Sequence, residues 1–85
     1  MKLTLLYFAS LRERLECPME RVDFPDTTGD VAGVVAQLRG RGGIWDEVFA
    51  PGRAWRISVN QRMGSLESPV GEGDEIAFFP PVTGG

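Results

Sequence analysis

One stretch of this chain has the apolar spacing of a helix that can cover a β-sheet. Within residues 31–38, valine and leucine recur at positions i, i+3, i+4 and i+7, which places them on one helical face. Turn and helix-start residues precede the stretch at 25–30, and Gly40 ends it. A chain of 85 residues is long enough for one domain. The stretch therefore predicts one main helix packed on one face of a single sheet.

The segments around this helix have the patterns of β-strands. Residues 2–9 are apolar on both faces, which is typical of a central strand covered on both sides. Residues 19–24 and 54–60 alternate between their two faces, and residues 75–79 form the last strand. Residues 61–69 are interpreted as irregular or as a short strand.

The order of these elements predicts an α+β fold with a mixed sheet packed against one main helix. If the first and last strands lie side by side at the centre, the fold is a ubiquitin-like β-grasp, but periodicity alone does not prove that pairing. Ser10 followed by Glu13 resembles a capping box and predicts a short helical turn over residues 10–15. Residues 44–49 predict one further turn.

Composition excludes several classes of function. The net charge of −3 argues against a nucleic-acid binder or an anionic membrane surface, since both need a basic face. No apolar run approaches the roughly 18 residues of a membrane span, and the chain start reads as a strand rather than a signal peptide. We therefore expect a cytoplasmic protein. Histidine is absent and cysteine occurs once, so we expect no disulfide and no cysteine-based metal cluster.

Two groups of reactive side chains have plain structural interpretations. Cys17 is the one conventional nucleophile, but no histidine exists to act as its base, so we interpret it as an incidental thiol. Glu72, Asp74 and Glu75 offer too few ligands for a calcium loop and are interpreted as a solvated turn, so the prediction for metal is none.

The C-terminal end has an unusual composition. Pro80 and Pro81 lack N–H groups, so the last strand cannot continue through them. We predict that residues 1–80 form the domain and that residues 81–85 leave it as an extended tail with a reach of about 15–18 Å. Gly84 and Gly85 carry no side chains, which suits entry of the terminal carboxylate into another protein's active site.

Three segments carry a family resemblance. Residues 7–13, 59–61 and 71–85 resemble the opening strand, the third-strand motif and the C-terminal signature of the MoaD/ThiS-type ubiquitin-like sulfur carriers, the family of the small subunits of molybdopterin synthase. The last of these segments reads Gly-Glu-Gly-Asp-Glu-Ile-Ala-Phe-Phe-Pro-Pro-Val-Thr-Gly-Gly and is the most specific. The resemblance covers the whole chain.

The resemblance implies a function for the tail. An ATP-dependent, E1-like activating enzyme adenylates Gly85, and a sulfur donor such as a cysteine desulfurase or a rhodanese converts it to a thiocarboxylate. The tail then enters the large subunit of molybdopterin synthase, within a heterotetramer, and gives sulfur to cyclic pyranopterin monophosphate. On this view the chain holds no cofactor of its own and is not an enzyme alone. The tail residues concerned are Pro81, Val82, Thr83, Gly84 and Gly85.

The resemblance also implies an apolar docking patch beside the tail, formed by Phe8, Met63 and Phe79. The alternative is that all three side chains belong to the core. For the function, the alternatives are a carrier that serves thiamine, tRNA thiolation or cysteine synthesis, a protein modifier conjugated through Gly85, and a plain interaction module with a dispensable tail.

Overall fold

A computed structural model of the chain describes residues 1–53 and 55–80, which form a five-stranded mixed sheet and three helices. The strands are β1 (Lys2–Tyr7), β2 (Met19–Asp23), β3 (Arg56–Val59), β4 (Arg62–Gly64) and β5 (Glu75–Phe79). The helices are α1 (Ala9–Leu15), α2 (Val31–Arg39) and α3 (Gly43–Val48). The predicted tail, residues 81–85, lies outside the described residues.

The sheet has the strand order β2-β1-β5-β3-β4. β1 and β5 run parallel at its centre, with Leu5 opposite Ile76, and the other neighbouring strands are antiparallel. This pairing places the first strand beside the last one. The periodicity of the sequence did not decide whether these two strands pair. The observed pairing confirms the ubiquitin-like β-grasp.

The core lies between α2 and the inner face of the sheet. The four predicted stripe residues of α2 are all buried: Val31, Val34, Val35 and Leu38. On the sheet they face Leu3, Leu5, Tyr7, Ile76 and Phe78. A helix of nine residues is too short to be stable alone in water, so this burial is what holds it. Asp30 caps the helix by accepting a hydrogen bond of 2.9 Å from the Gly33 N–H.

The opposite face of the sheet has no helix over it in the part of the chain that the structure describes. Leu3, Leu5 and Tyr7 of β1 are buried, whereas Thr4 and Leu6 are half-buried. The prediction that this strand is covered on both sides is therefore wrong. Over residues 1–53 and 55–80 the helices form one layer, and that layer packs on one face of the sheet. We call the uncovered side the open face.

The first helix also begins differently from the prediction. α1 starts at Ala9, and its N-cap is Phe8 rather than Ser10, with no side-chain cap. The chain turns sharply because Ala9 adopts a φ of 50°, and the Phe8 carbonyl then accepts hydrogen bonds from Leu11 N–H and Arg12 N–H at 3.1 and 3.3 Å. The capping box is wrong because the turn places Phe8, and not Ser10, where the first helical bonds form.

A tight hairpin connects β3 to β4 and holds the start of β5. Asn60 and Gln61 both have positive φ, 51° and 68°, as in a two-residue type I′ turn. The Asn60 side chain accepts from Glu75 N–H at 3.0 Å and donates to an Asp74 carboxylate oxygen at 3.0 Å. The second and third family-like segments therefore meet in space and fix the strand that leads to the tail.

None of the helices described is long and apolar enough to cross a membrane.

Candidate docking face and tail exit

Two stacked aromatic rings lie on the open face near the end of β5. Phe78 points into the core and is fully buried, whereas its neighbour Phe79 points to the open face, as alternation along a strand requires. The Phe79 ring stacks on Phe8, with centroids 4.7 Å apart and planes 7° apart. The Phe8 N–H donates to the Phe78 carbonyl at 3.1 Å, which extends the parallel pairing of β1 and β5 and fixes the stack.

Met63 lies on the same face at the edge of the sheet. It sits opposite Ser58, and Ser58 sits opposite Ala77, two residues before Phe79. The Met63 side chain is 68% exposed, and Phe8 is 38% exposed. Ser58 and Ala77 are small and buried, so they form a shallow floor between the aromatic pair and Met63.

Phe8, Met63 and Phe79, which we call the open-face patch, are therefore brought onto one face by the fold. The alternative that all three side chains belong to the core does not hold, because Phe8 and Met63 are exposed and Phe79 is half-buried. Clustered exposed apolar side chains are a feature of interaction surfaces.

Arginine side chains lie beside the patch. Arg56 sits directly opposite Phe79 in the register of β3 and β5, and it is exposed. Within residues 1–53 and 55–80, the ion pairs of the molecule involve Arg14, Arg39, Arg41 and the Met1 amine, and none involves Arg56. The patch thus has a cation at its rim that the described residues do not neutralise.

The last residue of the described chain, Pro80, lies next to α1. Pro80 is half-buried and, with Ser10, Arg14 and Trp55 among others, lines a cavity of about 140 Å³. Its missing N–H ends the ladder of β5, as predicted. The five predicted tail residues, Pro81, Val82, Thr83, Gly84 and Gly85, lie outside the description.

Cys17 is half-buried, and its Sγ lies 3.5 Å from the Met19 carbonyl oxygen. Burial raises the pKa of the Cys17 thiol, and the nearby Glu20 carboxylate raises it further. A raised pKa keeps the sulfur protonated and a poor nucleophile at neutral pH. The geometry agrees with an incidental thiol.

A polar cluster that the sequence reasoning missed joins β2 to the loop after α2. Arg41 makes two hydrogen bonds to the Glu20 carboxylate, of 2.8 and 3.0 Å, and the Tyr7 hydroxyl donates to the same carboxylate at 2.8 Å. Arg41 also lies over the Trp45 ring, 4.3 Å from its centroid. Burial, followed by the Glu20 contact, raises the pKa of Tyr7 far above its ordinary value. No local sequence pattern connects residues that are about 20 positions apart.

The acidic turn is less solvated than the sequence suggested. Asp74 accepts from the Gly71 N–H at 2.8 Å as well as from Asn60, and a Glu72 oxygen accepts from the Lys2 N–H at 3.1 Å. These carboxylates therefore close their own loop and tie it to β1. Over the described residues, no group of three His, Cys, Asp or Glu side chains could hold a metal ion.

The topology and the open face define the class of this molecule, a ubiquitin-like β-grasp domain whose last strand leads directly to a C-terminal Gly-Gly sequence. Comparison with known families then identifies the family within this class. The family model described as "ThiS family" matches residues 5–85. The chain belongs to the ThiS family.

One curated relative is similar to this chain in sequence, and two solved structures are similar to it in fold. It is 37% identical over 83 residues to the molybdopterin synthase sulfur carrier subunit of Haemophilus influenzae, with 98% of this chain and 99% of that protein covered. Its fold resembles SAMP1 of Haloferax volcanii, with a TM-score of 0.78, 24% identity and full coverage of both chains. It also resembles a chain in the complex of subunits 1 and 2 of the molybdopterin-converting factor from Helicobacter pylori, with a TM-score of 0.65, 23% identity and full coverage of both chains.

Proposed function

We propose that this protein is the sulfur carrier subunit of a molybdopterin synthase and acts through the carboxyl group of Gly85. The observation that carries the proposal is the alignment along the whole chain, at 37% identity, with a relative of that name. The C-terminal sequence and the placement of an exposed apolar patch next to the last strand support it.

The carrier chemistry begins outside this molecule. A carboxylate is a poor electrophile, so an E1-like activating enzyme uses ATP to form an acyl-adenylate on Gly85 with release of pyrophosphate. The persulfide of the sulfur donor, a cysteine desulfurase or a rhodanese, then displaces AMP to give an acyl disulfide, and a thiol reductant cleaves its S–S bond to leave the thiocarboxylate. ATP is consumed by the activating enzyme and is not a cofactor held by this chain.

The thiocarboxylate is the form that donates sulfur. Its sulfur is anionic at neutral pH and more nucleophilic than a carboxylate oxygen, so it attacks cyclic pyranopterin monophosphate within the large synthase subunit. Water then cleaves the resulting thioester, which leaves the sulfur on the pterin and returns the Gly85 carboxylate. Each molybdopterin dithiolene needs two sulfurs, which fits two carriers in a heterotetramer. The acid–base groups belong to the large subunit, since this chain has no histidine and its one thiol is held protonated. On this proposal the chain is a non-catalytic, sulfur-donating subunit.

The open-face patch is proposed as the surface that docks on the large subunit. Stacked Phe8 and Phe79 form its rigid part, and Met63 adds a flexible apolar side chain. The complex of subunits 1 and 2 in Helicobacter pylori contains a chain of the same fold and is consistent with a two-subunit assembly.

The test is an intact-mass measurement followed by a transfer assay. After incubation with the activating enzyme, ATP and a sulfur donor, the mass rises by the difference between sulfur and oxygen, and fragmentation places the change at Gly85. Added large subunit then converts cyclic pyranopterin monophosphate to molybdopterin. Deletion of Gly85 abolishes both steps, and Cys17→Ser leaves both unchanged.

Two other results would replace the proposal. If the thiocarboxylate forms but the pterin is not converted, the carrier serves another acceptor, such as a thiamine, tRNA or cysteine pathway. If blots of cell extract with an antibody against an N-terminal tag give a ladder that disappears when Gly85 is deleted, the chain is a protein modifier joined to lysines.

A further inference from the structure

We propose that the groove at the β4 edge of the sheet, next to the open-face patch, binds an acidic segment of the docked partner subunit. The segment supplies a carboxylate side chain to Arg53 and Arg56 and an apolar side chain to Met63 and Leu66. This inference rests on the proposed function, because the partner is taken to be the subunit that docks on the patch.

The groove has a volume of about 420 Å³. It lies between the segment that enters β3 and the loop that follows β4. Its apolar walls include the exposed side chains of Met63 and Leu66. Its polar walls include Arg53 and Arg56, both exposed.

The charge of the groove selects an anionic occupant. Arg14, Arg39 and Arg41 each form an ion pair with an acidic side chain. Among residues 1–53 and 55–80, Arg53 and Arg56 form no ion pair. Arginine pairs with carboxylates through two parallel hydrogen bonds, which makes it suited to recognising an aspartate or a glutamate.

The one acidic side chain of the groove does not neutralise these arginines. A Glu67 carboxylate oxygen accepts a hydrogen bond of 3.0 Å from the Ser65 hydroxyl, and the Glu67 N–H donates to the same hydroxyl at 3.3 Å. Glu67 is therefore engaged within its own loop and makes no ion pair in the described chain.

Trp55 lies in the wall of the groove and also lines two neighbouring cavities. Its Nε1 atom is buried and has no hydrogen-bond partner in the described structure. The indole ring is held by edge-to-face contacts with Phe49 and Phe78, at centroid distances of 5.4 and 5.5 Å, so its orientation is fixed. Trp55 therefore gives the groove wall a fixed aromatic surface whose indole signal can report on an occupant of the groove.

The groove is continuous with the open-face patch. Met63 belongs to both, and Arg56 sits directly opposite Phe79. A subunit seated on the patch therefore extends over the β4 edge. The net charge of −3 would repel an acidic partner at most other sites, so Arg53 and Arg56, which form no ion pair among the described residues, also orient the encounter.

Charge reversal tests the proposal, with the large synthase subunit as the probe. In the double variant Arg53→Glu/Arg56→Glu, we expect the dissociation constant measured by calorimetry to rise at least about tenfold, and its dependence on salt to weaken. Arg21→Glu is the control for position, because Arg21 is an exposed β2 arginine at the opposite edge of the sheet. If the double variant binds like Arg21→Glu, the proposal is overturned.

An NMR measurement reports on the groove itself. The chain has two indole N–H signals, from Trp45 and Trp55, and we expect the Trp55 signal to shift on addition of the large subunit while Trp45 stays in place. A shift of Trp55 that depends on the concentration of this chain alone would identify a second copy as the occupant and overturn the proposal. An unmoved Trp55 in a formed complex also overturns it.

These outcomes separate the two proposals. If the wild-type chain neither binds the large subunit nor transfers sulfur to the pterin, the proposed function fails. If it binds and transfers sulfur while the double variant matches Arg21→Glu, only the groove assignment fails. Circular dichroism of each variant checks the fold, which we expect to be unchanged because all three arginines are exposed.

Discussion

At the scale of single residues, Phe78 and Phe79 separate folding from docking. They are adjacent and chemically identical, yet Phe78 is fully buried among Tyr7, Phe49 and Trp55, while Phe79 stacks on Phe8 at the surface. Alternation along β5 alone produces this difference.

We therefore expect opposite effects when each phenylalanine is replaced by alanine. Phe78→Ala should lower the free energy of unfolding by about 3–5 kcal/mol, because it leaves a cavity in the core. Phe79→Ala should lower it by less than about 2 kcal/mol but weaken binding of the large subunit. Urea denaturation and calorimetric titration measure the two quantities. Unchanged binding with a large loss of stability in Phe79→Ala would assign Phe79 to the core.

Cys17 gives a prediction about pH. Burial, with a smaller effect from Glu20, raises the pKa of its thiol, so the thiolate forms only at higher pH than in a free cysteine. The rate of alkylation by iodoacetamide should therefore reach half its maximum at a pH above about 8.5, the ordinary pKa of a cysteine thiol. The same protein in urea is the control and should return to that value. A midpoint below that of the unfolded chain would indicate an activated thiol.

At the scale of the elements, the β3–β4 hairpin is held in a strained conformation. Gln61 has a φ of 68°, which glycine adopts without strain, and Asn-Gly is the preferred sequence for such a turn. Gln61→Gly should raise the free energy of unfolding by about 0.5–1 kcal/mol. Asn60→Gly is the contrasting variant: it should lower stability, because it removes the side-chain bonds to Asp74 and Glu75. Thermal or urea unfolding that ranks the two variants in the reverse order would contradict this account.

The loop between α2 and α3 is tied to the edge strand β2 by Arg41 and Glu20. The side chains are 33% and 23% exposed, so solvent screens the pair only in part. A double-mutant cycle with Arg41→Ala and Glu20→Ala should give a coupling free energy of about 1 kcal/mol. Tyr7→Phe is a useful third variant, since it removes the hydrogen bond that Glu20 accepts from the Tyr7 hydroxyl and leaves Arg41 in place. Additive effects of the two alanine variants would show that the pair does not hold the loop.

Local sequence patterns predicted where helices and strands lie better than they predicted how those elements pack against each other. The apolar stripe of α2 and the bounds of β5 were predicted correctly because they depend on spacing within one segment. The capping box at Ser10 and the covering of β1 on both sides were wrong, since they depend on how the chain turns at Ala9 and on where the helices pack. The Arg41–Glu20 pair and the groove at Arg53 and Arg56 join distant segments, so no local pattern indicated them.

At the scale of the whole molecule, the described residues of this small domain place no helix over one face of its sheet. A chain of 85 residues buries only about 60–65% of its unfolded surface, so its stability is modest. Its open face carries Phe8 and Met63 exposed to water. A partner that covers this face binds the folded state and not the unfolded chain, and it therefore stabilises the domain by mass action.

This linkage gives a prediction for the unfolding temperature. With free large subunit at 100 times the dissociation constant, the stabilisation is about 2.7 kcal/mol, which corresponds to a rise in the melting temperature on the order of 10 °C for a domain of this size. Calorimetry or the tryptophan fluorescence of Trp55 and Trp45 in a mixture with a more heat-stable large subunit measures it.

Two matched substitutions test whether the open-face patch is the surface responsible. Met63→Asp should abolish the rise while leaving the melting temperature of the free chain nearly unchanged, because the Met63 side chain is 68% exposed. Met19→Asp, at the opposite edge of the same face and 49% exposed, should keep the rise. If Met63→Asp keeps the rise and Met19→Asp loses it, the partner covers the β2 side of the sheet, and both the patch and the adjoining groove are misassigned.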